Sequence, residues 1–249
     1  MTAVPRLSVI VPAYNGEDRL PGALSQLGAW LDALPYSSEL IIVDDCSGPA
    51  AARVMADFAA GRPHTRVIRN QTNLGKGAGV ASGMLAASGE LRVFTDADLA
   101  YPPSEIGKII ADLESGADVA IACRVLPESR YLMSPSFFHY LYTRHLMSRA
   151  FNLMVRALLL RDVRDSQAGL KGFTARAAET VFPRLTIPRF GFDVEALFIA
   201  QLHGFHIRQT AVYFRYDEEP TTIKFTQSVF TMIADLLHVR WNHLRGAYK

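Results

Sequence analysis

Short apolar runs rich in β-branched residues recur along the chain, each ending in polar residues and each followed by a stretch of helical spacing. The first, Leu7-Ser8-Val9-Ile10-Val11-Pro12, stops at a proline and gives way to the polar loop Ala13-Tyr14-Asn15-Gly16-Glu17-Asp18. Leu20, Leu24, Leu27 and Leu31 then share one face of a helix over about 19–34. Glu39-Leu40-Ile41-Ile42-Val43 reads as a second strand closed by Asp44-Asp45-Cys46-Ser47-Gly48, with a helix over about 50–60 and a short strand over 65–69 behind it. A helix of small residues ends near Ser88-Gly89, and Val93-Phe94-Thr95 begins a fourth strand that runs into Asp96-Ala97-Asp98. Ser104 is placed to cap the next helix, which runs to about 115, and Ala117 to Cys123 is a further strand with Arg124 at its exit. Later residues read as helix, loop, helix and strand over 175–215, with Asp193 opening the second helix and the strand at about 210–215. Alternation of this kind predicts one α/β domain over 1–249, a mostly parallel sheet flanked by helices.

The polar ends of these strands carry the candidate chemistry. Buried parallel strands expose their first polar side chains where they leave the core, and ligands of open α/β sheets collect at those carboxyl ends. Two carboxylates one residue apart, Asp96 and Asp98, offer hard oxygen ligands for Mg²⁺ or Mn²⁺. Taken alone, such a pair is an ordinary turn. In Asn73-Leu74-Gly75-Lys76-Gly77-Ala78-Gly79, glycines beside a lysine at a helix start allow close backbone approach and offer N–H groups and one cation to a phosphate. The spacing is not that of a Walker A loop. Polar groups at four strand ends (Tyr14 to Glu17, Asp44 and Asp45, Asp96 and Asp98, Arg124) together describe a nucleotide pocket.

Composition narrows the class. With 249 residues, 49% of them apolar, the chain can bury a large core, and disorder is excluded. A net charge of +2 gives no reason to expect nucleic acid. Cys46 and Cys123 form no CxxC pair and read as reduced thiols, in keeping with a cytoplasmic setting. Neither a signal peptide nor an apolar stretch of about eighteen residues is apparent, so no transmembrane helix is expected.

Val11-Pro12-Ala13-Tyr14-Asn15, Val43-Asp44-Asp45, Asn73-Leu74-Gly75-Lys76-Gly77 and Asp96-Ala97-Asp98 resemble, in order, the signature of family 2 glycosyltransferases of the GT-A, Rossmann-like nucleotide-diphospho-sugar transferase fold. Asp165-Ser166-Gln167-Ala168-Gly169-Leu170-Lys171-Gly172-Phe173 and Phe192-Asp193-Val194-Glu195 are similar to the dolichyl-phosphate β-glucosyltransferase branch, with polyprenyl-phosphate mannosyltransferases as cousins. The resemblance implies that Pro12, Tyr14, Asn15, Glu17 and Asp45 hold base and ribose, and that Asn73, Gly75, Lys76 and Gly77 lie against nucleotide or diphosphate. It implies Asp96 and Asp98 at a Mg²⁺ or Mn²⁺ ion, Asp98 as the more direct ligand. Arg124 and Arg144 would face the phosphates, and Gln167, Lys171 and Asp193 the sugar and acceptor side. Ala100 stands where the mannosyltransferase cousins often carry a glutamine that helps bind metal, and Ala168 and Leu170 replace the commoner Cys and Phe.

The activity so implied is inverting transfer of a hexose, glucose preferred, from a UDP-sugar to a polyprenyl or dolichyl phosphate. The alternatives are a GDP-mannose-dependent relative, a transferase acting on a soluble or glycan hydroxyl, and a non-catalytic nucleotide-sugar binder. Over about 134–162, aromatic and leucine residues interleave with Arg144, Arg149, Arg156 and Arg161, a pattern that suits helices lying in a bilayer interface on the cytoplasmic face of a membrane or, alternatively, an apolar stripe packed on the sheet with its arginines solvated. A second amphipathic helix, about 224–245, is expected to pack on its own domain or on a second subunit of a homo-oligomer.

Overall fold

The computed structural model describes residues 4–133, 149, 151–216 and 225–249. Most of the amphipathic segment at 134–162, Arg144 included, lies outside the described residues. Strands β1 (Leu7–Ala13), β2 (Ser38–Asp44), β3 (Thr65–Arg69), β4 (Leu91–Thr95), β5 (Val119–Cys123), β7 (Leu170–Thr174) and β8 (Ile207–Ala211) form one sheet in the order β3-β2-β1-β4-β7-β5-β8. All pairings are parallel except those of β7, which runs antiparallel between β4 and β5. A two-stranded sheet joins β6 (Arg130–Met133) to β9 (Tyr213–Tyr216).

Helices α1 (Leu20–Asp32), α2 (Pro49–Ala60), α3 (Lys76–Ala86), α4 (Pro103–Glu114), α5 (151–158), α6 (Ala175–Val181), α7 (Phe192–Leu202) and α8 (Phe225–Leu244) cover the sheet. Strand periodicity decides which layer each side chain joins. Val9 and Val11 pack with Leu20, Leu24 and Ile106 under α1 and α4, whereas Ile10 and Phe94 pack with Val80, Phe192 and Leu197 under α3 and α7. Two cores on one sheet hold its edge rigid, and that edge carries the polar residues.

Three local expectations are corrected. Pro102, not Ser104, caps α4, because Pro103 already has the fixed φ of a first helical residue and starts the helix two residues earlier. Asp193 does not cap α7; Gly191 occupies that position, and the aspartate side chain is drawn inward to a lysine. The single strand expected at 210–215 divides at Val212, with β8 in the main sheet and β9 in the small one.

Candidate active site

The carboxyl ends of β1, β2 and β4 lie side by side, and the start of antiparallel β7 meets the end of β4 through the pairing of Thr95 with Leu170. The loop 165–169 is thereby delivered to the rim that carries Asp96. Asp96 N donates to Gly169 O at 3.2 Å, and a Cβ on Gly169 would stand 1.9 Å from Asp96 Oδ2. Glycine is required there because the carboxylate occupies the side-chain space. A Gly169→Ala variant is expected to keep its melting temperature within a few degrees and lose about a hundredfold in kcat/KM, since Asp96 must swing out of its place at the rim. Steady-state kinetics beside a thermal melt checks this, and unaltered turnover would remove Asp96 from the site.

Asp98 is exposed at the rim, and its Oδ1 accepts from Ala100 N at 3.0 Å. Burial by surrounding protein and the charge of Asp96 push its carboxyl above the usual range. Leu99, next in sequence and buried, has φ +48°, a left-handed conformation uncommon for a residue with a branched side chain. Strain of this kind gathers where a turn is held for function. Lys76, at the start of α3, places its Nζ 2.6 Å from Asp96 Oδ1. Burial works to lower the lysine's pKa, but the charges of Asp96, Asp193 and Asp98 outweigh it and raise the pKa above its ordinary value.

Gly75 precedes that lysine with φ +101°, and a Cβ there would lie 2.7 Å from Pro188 O. The turn is drawn tight by Asp45, which accepts from Asn70 Nδ2 (2.8 Å), Leu74 N (2.9 Å) and Gly75 N (2.7 Å). Expected at base and ribose, Asp45 thus also builds the glycine turn. The first amides of α3, on Lys76 and Gly77, have no acceptor within the helix, as for the first turn of any helix, and the N-cap Gly75 supplies no side chain to satisfy them.

Lys171 and Asp193 form a buried ion pair, Nζ to Oδ1 2.5 Å, with the lysine 0% and the aspartate 3% exposed. Lys171 Nζ also donates to Ala168 O at 2.5 Å and lies 5.4 Å from the centre of the Phe94 ring. Burial lowers the Lys171 pKa and raises that of Asp193, each opposed by its partner. Arg124 forks onto Asp165, Nε to Oδ2 2.7 Å and Nη2 to Oδ1 2.9 Å. Burial alone would raise the Asp165 carboxyl, but Arg124 overrides it and holds the pKa below the usual range. The guanidinium expected at the phosphates therefore also fixes the 165–169 loop.

On the opposite flank, Asn15 (φ +56°) cross-links two strand ends: its N–H donates to Ser47 Oγ and its Oδ1 accepts from Gly48 N, both at 2.9 Å. Tyr14, 57% exposed, and Glu17 stand on the same loop, and Pro12 lies beneath Gly79 of α3. Asn73 is exposed on the glycine turn. Among the described residues six buried polar side-chain atoms lack a hydrogen-bond partner, and three of them, Thr95 Oγ1, Ser166 Oγ and Gln167 Nε2, belong to this rim, the others being on Asn152, Arg184 and Arg215. Native proteins leave few such atoms, and a cluster of them marks a place where a ligand completes the bonding. Sequence reasoning missed Asp165, Gly169 and Arg19, whose charge lowers the Asp98 pKa against burial.

Hard oxygen donors from Asp96 and Asp98 suit a divalent ion, and Lys76 Nζ already supplies a positive charge against Asp96. No group of three or more His, Cys, Asp or Glu side chains placed for a metal occurs among the described residues. Two carboxylates completed by water and phosphate oxygens are the usual way of holding Mg²⁺.

The sheet order and the polar strand ends are those of a glycosyltransferase, and the Glycosyl transferase family 2 profile matches residues 8–174. The chain belongs to that family: it is a family 2 glycosyltransferase with the GT-A fold. It is 31% identical over 256 residues to a dolichyl-phosphate beta-glucosyltransferase of Dictyostelium discoideum, covering 98% of this chain and 76% of that protein. The Homo sapiens protein of the same name is 32% identical over 255 residues, covering 98% and 78%. A dolichol-phosphate mannosyltransferase of Pyrococcus furiosus matches at 32% over 176 residues, 71% of this chain and 47% of that one. Among solved structures, glucosyl-3-phosphoglycerate synthase from Mycobacterium tuberculosis, crystallised with Mn²⁺, UDP-glucose and phosphoglyceric acid, superposes with a TM-score of 0.69 at 18% identity, covering 95% of this chain and 80% of that one.

Proposed function

We propose that this glycosyltransferase moves glucose from UDP-glucose to a polyprenyl phosphate of the dolichyl type, with inversion at the anomeric carbon. The observation that carries the reading is the convergence on one rim of Asp96, Asp98, Lys76 and the Lys171–Asp193 pair, in a chain that aligns over nearly its whole length with dolichyl-phosphate beta-glucosyltransferases. Asp96 and Asp98 would hold a Mg²⁺ or Mn²⁺ ion, whose positive charge lowers the cost of the nucleoside diphosphate leaving as an anion. The amides of Lys76 and Gly77 and the Lys76 ammonium receive the diphosphate, while Tyr14, Asn15, Glu17 and Asp45 form the wall for base and ribose. Gln167 and Asp193 face the sugar. A phosphate monoester has a second pKa of about 6 and attacks as an anion at neutral pH, so it needs steering more than a general base. Arg124, its fork held on Asp165, and Arg144 would supply that steering as positive charges.

Among the described residues, no helix is long and apolar enough to cross a membrane. Helix α8 packs Leu236 and Val239 into the core and turns Leu237, Trp241 and Leu244 outward beside Arg240 and Arg245, a face suited to an anionic bilayer surface on the cytoplasmic side. Vesicles containing phosphatidylglycerol should co-sediment the enzyme, and a Trp241→Ser, Leu244→Ser variant should stay in the supernatant. Equal sedimentation of both would leave that face to a second subunit.

The acceptor is tested with labelled UDP-glucose, Mn²⁺ and a short polyprenyl phosphate; label should move into the organic phase. A second reading, transfer to a soluble hydroxyl with Asp193 as base, is favoured by the fold likeness to a synthase bound to phosphoglyceric acid. Label found only on 3-phosphoglycerate would decide for it.

A further inference from the structure

Glu195 is fully buried on the first turn of α7, two residues beyond Asp193, and takes no part in the site described above. Its carboxylate accepts four hydrogen bonds. Oε2 accepts from Thr186 N and Ile187 N, both at 2.9 Å, and Oε1 accepts from Thr186 Oγ1 at 2.6 Å and Tyr248 Oη at 2.7 Å. Asn242 of α8 adds a donor to Thr186 Oγ1 at 3.0 Å, and His238 Nε2 lies 3.3 Å from the same hydroxyl. Tyr248 is itself locked in place, its ring edge-on to Phe198 and its carbonyl 2.9 Å from His203 Nε2.

The segment that Glu195 grips is the one wedged under the glycine turn. Pro188 O accepts from Ala78 N at 3.0 Å, satisfying a first-turn amide of α3 that the helix cannot. A Cβ on Gly77 would stand 2.7 Å from Phe192 Cβ and 2.8 Å from the carbonyls of Ile187 and Arg189. Gly191 touches Asp235 of α8 equally closely, its added Cβ falling 2.3 Å from Oδ2. An unbroken chain of contacts therefore runs from Tyr248 and α8, through Glu195 and the 186–191 loop, to the backbone of Gly75–Ala78.

We propose that Tyr248 is a positioning residue for the donor diphosphate: through Glu195 and the 186–191 loop it sets the height of the Gly75–Ala78 backbone and so the aim of its amides. The inference rests on the glycine turn being the diphosphate seat. A charge-assisted hydrogen bond inside the protein is among the stronger ones, and losing one donor loosens the loop without emptying the core.

Tyr248→Phe keeps the ring against Phe198 and removes only the donor. The expected result is a rise of roughly fivefold in KM for the sugar nucleotide with kcat within about twofold. Amide hydrogen exchange at Ile187 and Ala78 should quicken by roughly tenfold while α2, on the other face of the sheet, is unchanged. Unchanged exchange at Ala78, equal acceleration in α2, or a fall in kcat at constant KM would each overturn the proposal. Should the tyrosine variant not fold, Asn242→Ala reads the same loop through Thr186. If the wild type turns over no UDP-glucose, the functional reading fails by itself, and the exchange measurement still decides whether Tyr248 governs the turn.

Discussion

An Asp98→Asn enzyme is expected to lose about a thousandfold in kcat while melting at or slightly above the wild-type temperature at pH 7. The two halves have one cause. Asp98 is open to solvent on one side, but the protein packed around the rest of it first, then the charge of Asp96, disfavours its ionised form. A carboxyl whose folded pKa lies above its unfolded value binds a proton more tightly in the native state. The protein without a bound cation therefore loses stability as pH climbs from the ordinary carboxylate value of about 4 through the raised folded pKa, and the loss is complete above it. Asparagine cannot titrate, so the variant's advantage should grow between pH 4 and pH 7. A divalent ion would reverse the balance for the wild type alone: adding Mn²⁺ should raise its melting temperature and leave the variant unmoved. Melts across pH, with and without Mn²⁺, read this without any turnover. A variant that keeps its activity, or that answers Mn²⁺ as the wild type does, would take the ion away from Asp98.

The rim's acidic half was legible along the chain because each strand announces its own end. Asp45, Asp96 and Asp98 come just after short, mostly apolar strands, and the parallel sheet places such ends together by construction. What the sequence hid depends on partners far away. Leu170–Thr174 contains a lysine and a glycine and does not read as a core strand, yet it is inserted between β4 and β5 with its lysine sealed from water. Only Asp193, 22 residues later, makes that burial tolerable. Gly169 gives no local sign that Asp96 fills its side-chain space, and Glu195 finds Tyr248 across 53 residues. The arginine at the end of β5 was recognisable as a strand-end cation, but its fork onto Asp165 needed the 165–169 loop to be brought to the rim by the antiparallel insertion of β7.

Removing the lysine of the buried pair is expected to be the most destabilising single change in the site. Lys171→Met keeps the length of the side chain and strands the Asp193 carboxylate in a place without water, at a cost of about 3–5 kcal/mol. For a chain of this size that corresponds to a fall of roughly 10 °C in melting temperature. The pH dependence identifies the cause. Burial already raises the Asp193 pKa against the pull of Lys171 and Lys76; without Lys171 it rises further above the unfolded value. The variant's stability must then fall as pH increases from about 4 through that raised pKa, so its deficit should be smaller at pH 5 than at pH 8. Urea denaturation at the two pH values measures it. Adding Asp193→Asn removes the stranded charge and should restore most of the lost stability, with an interaction free energy of several kcal/mol in the double-mutant cycle. Turnover should not return with it, because Asp193 is proposed to face the sugar and Lys171 holds it there. Additive, pH-independent losses would mean that the two groups do not act as a pair, and full activity in the double variant would confine them to a scaffold role.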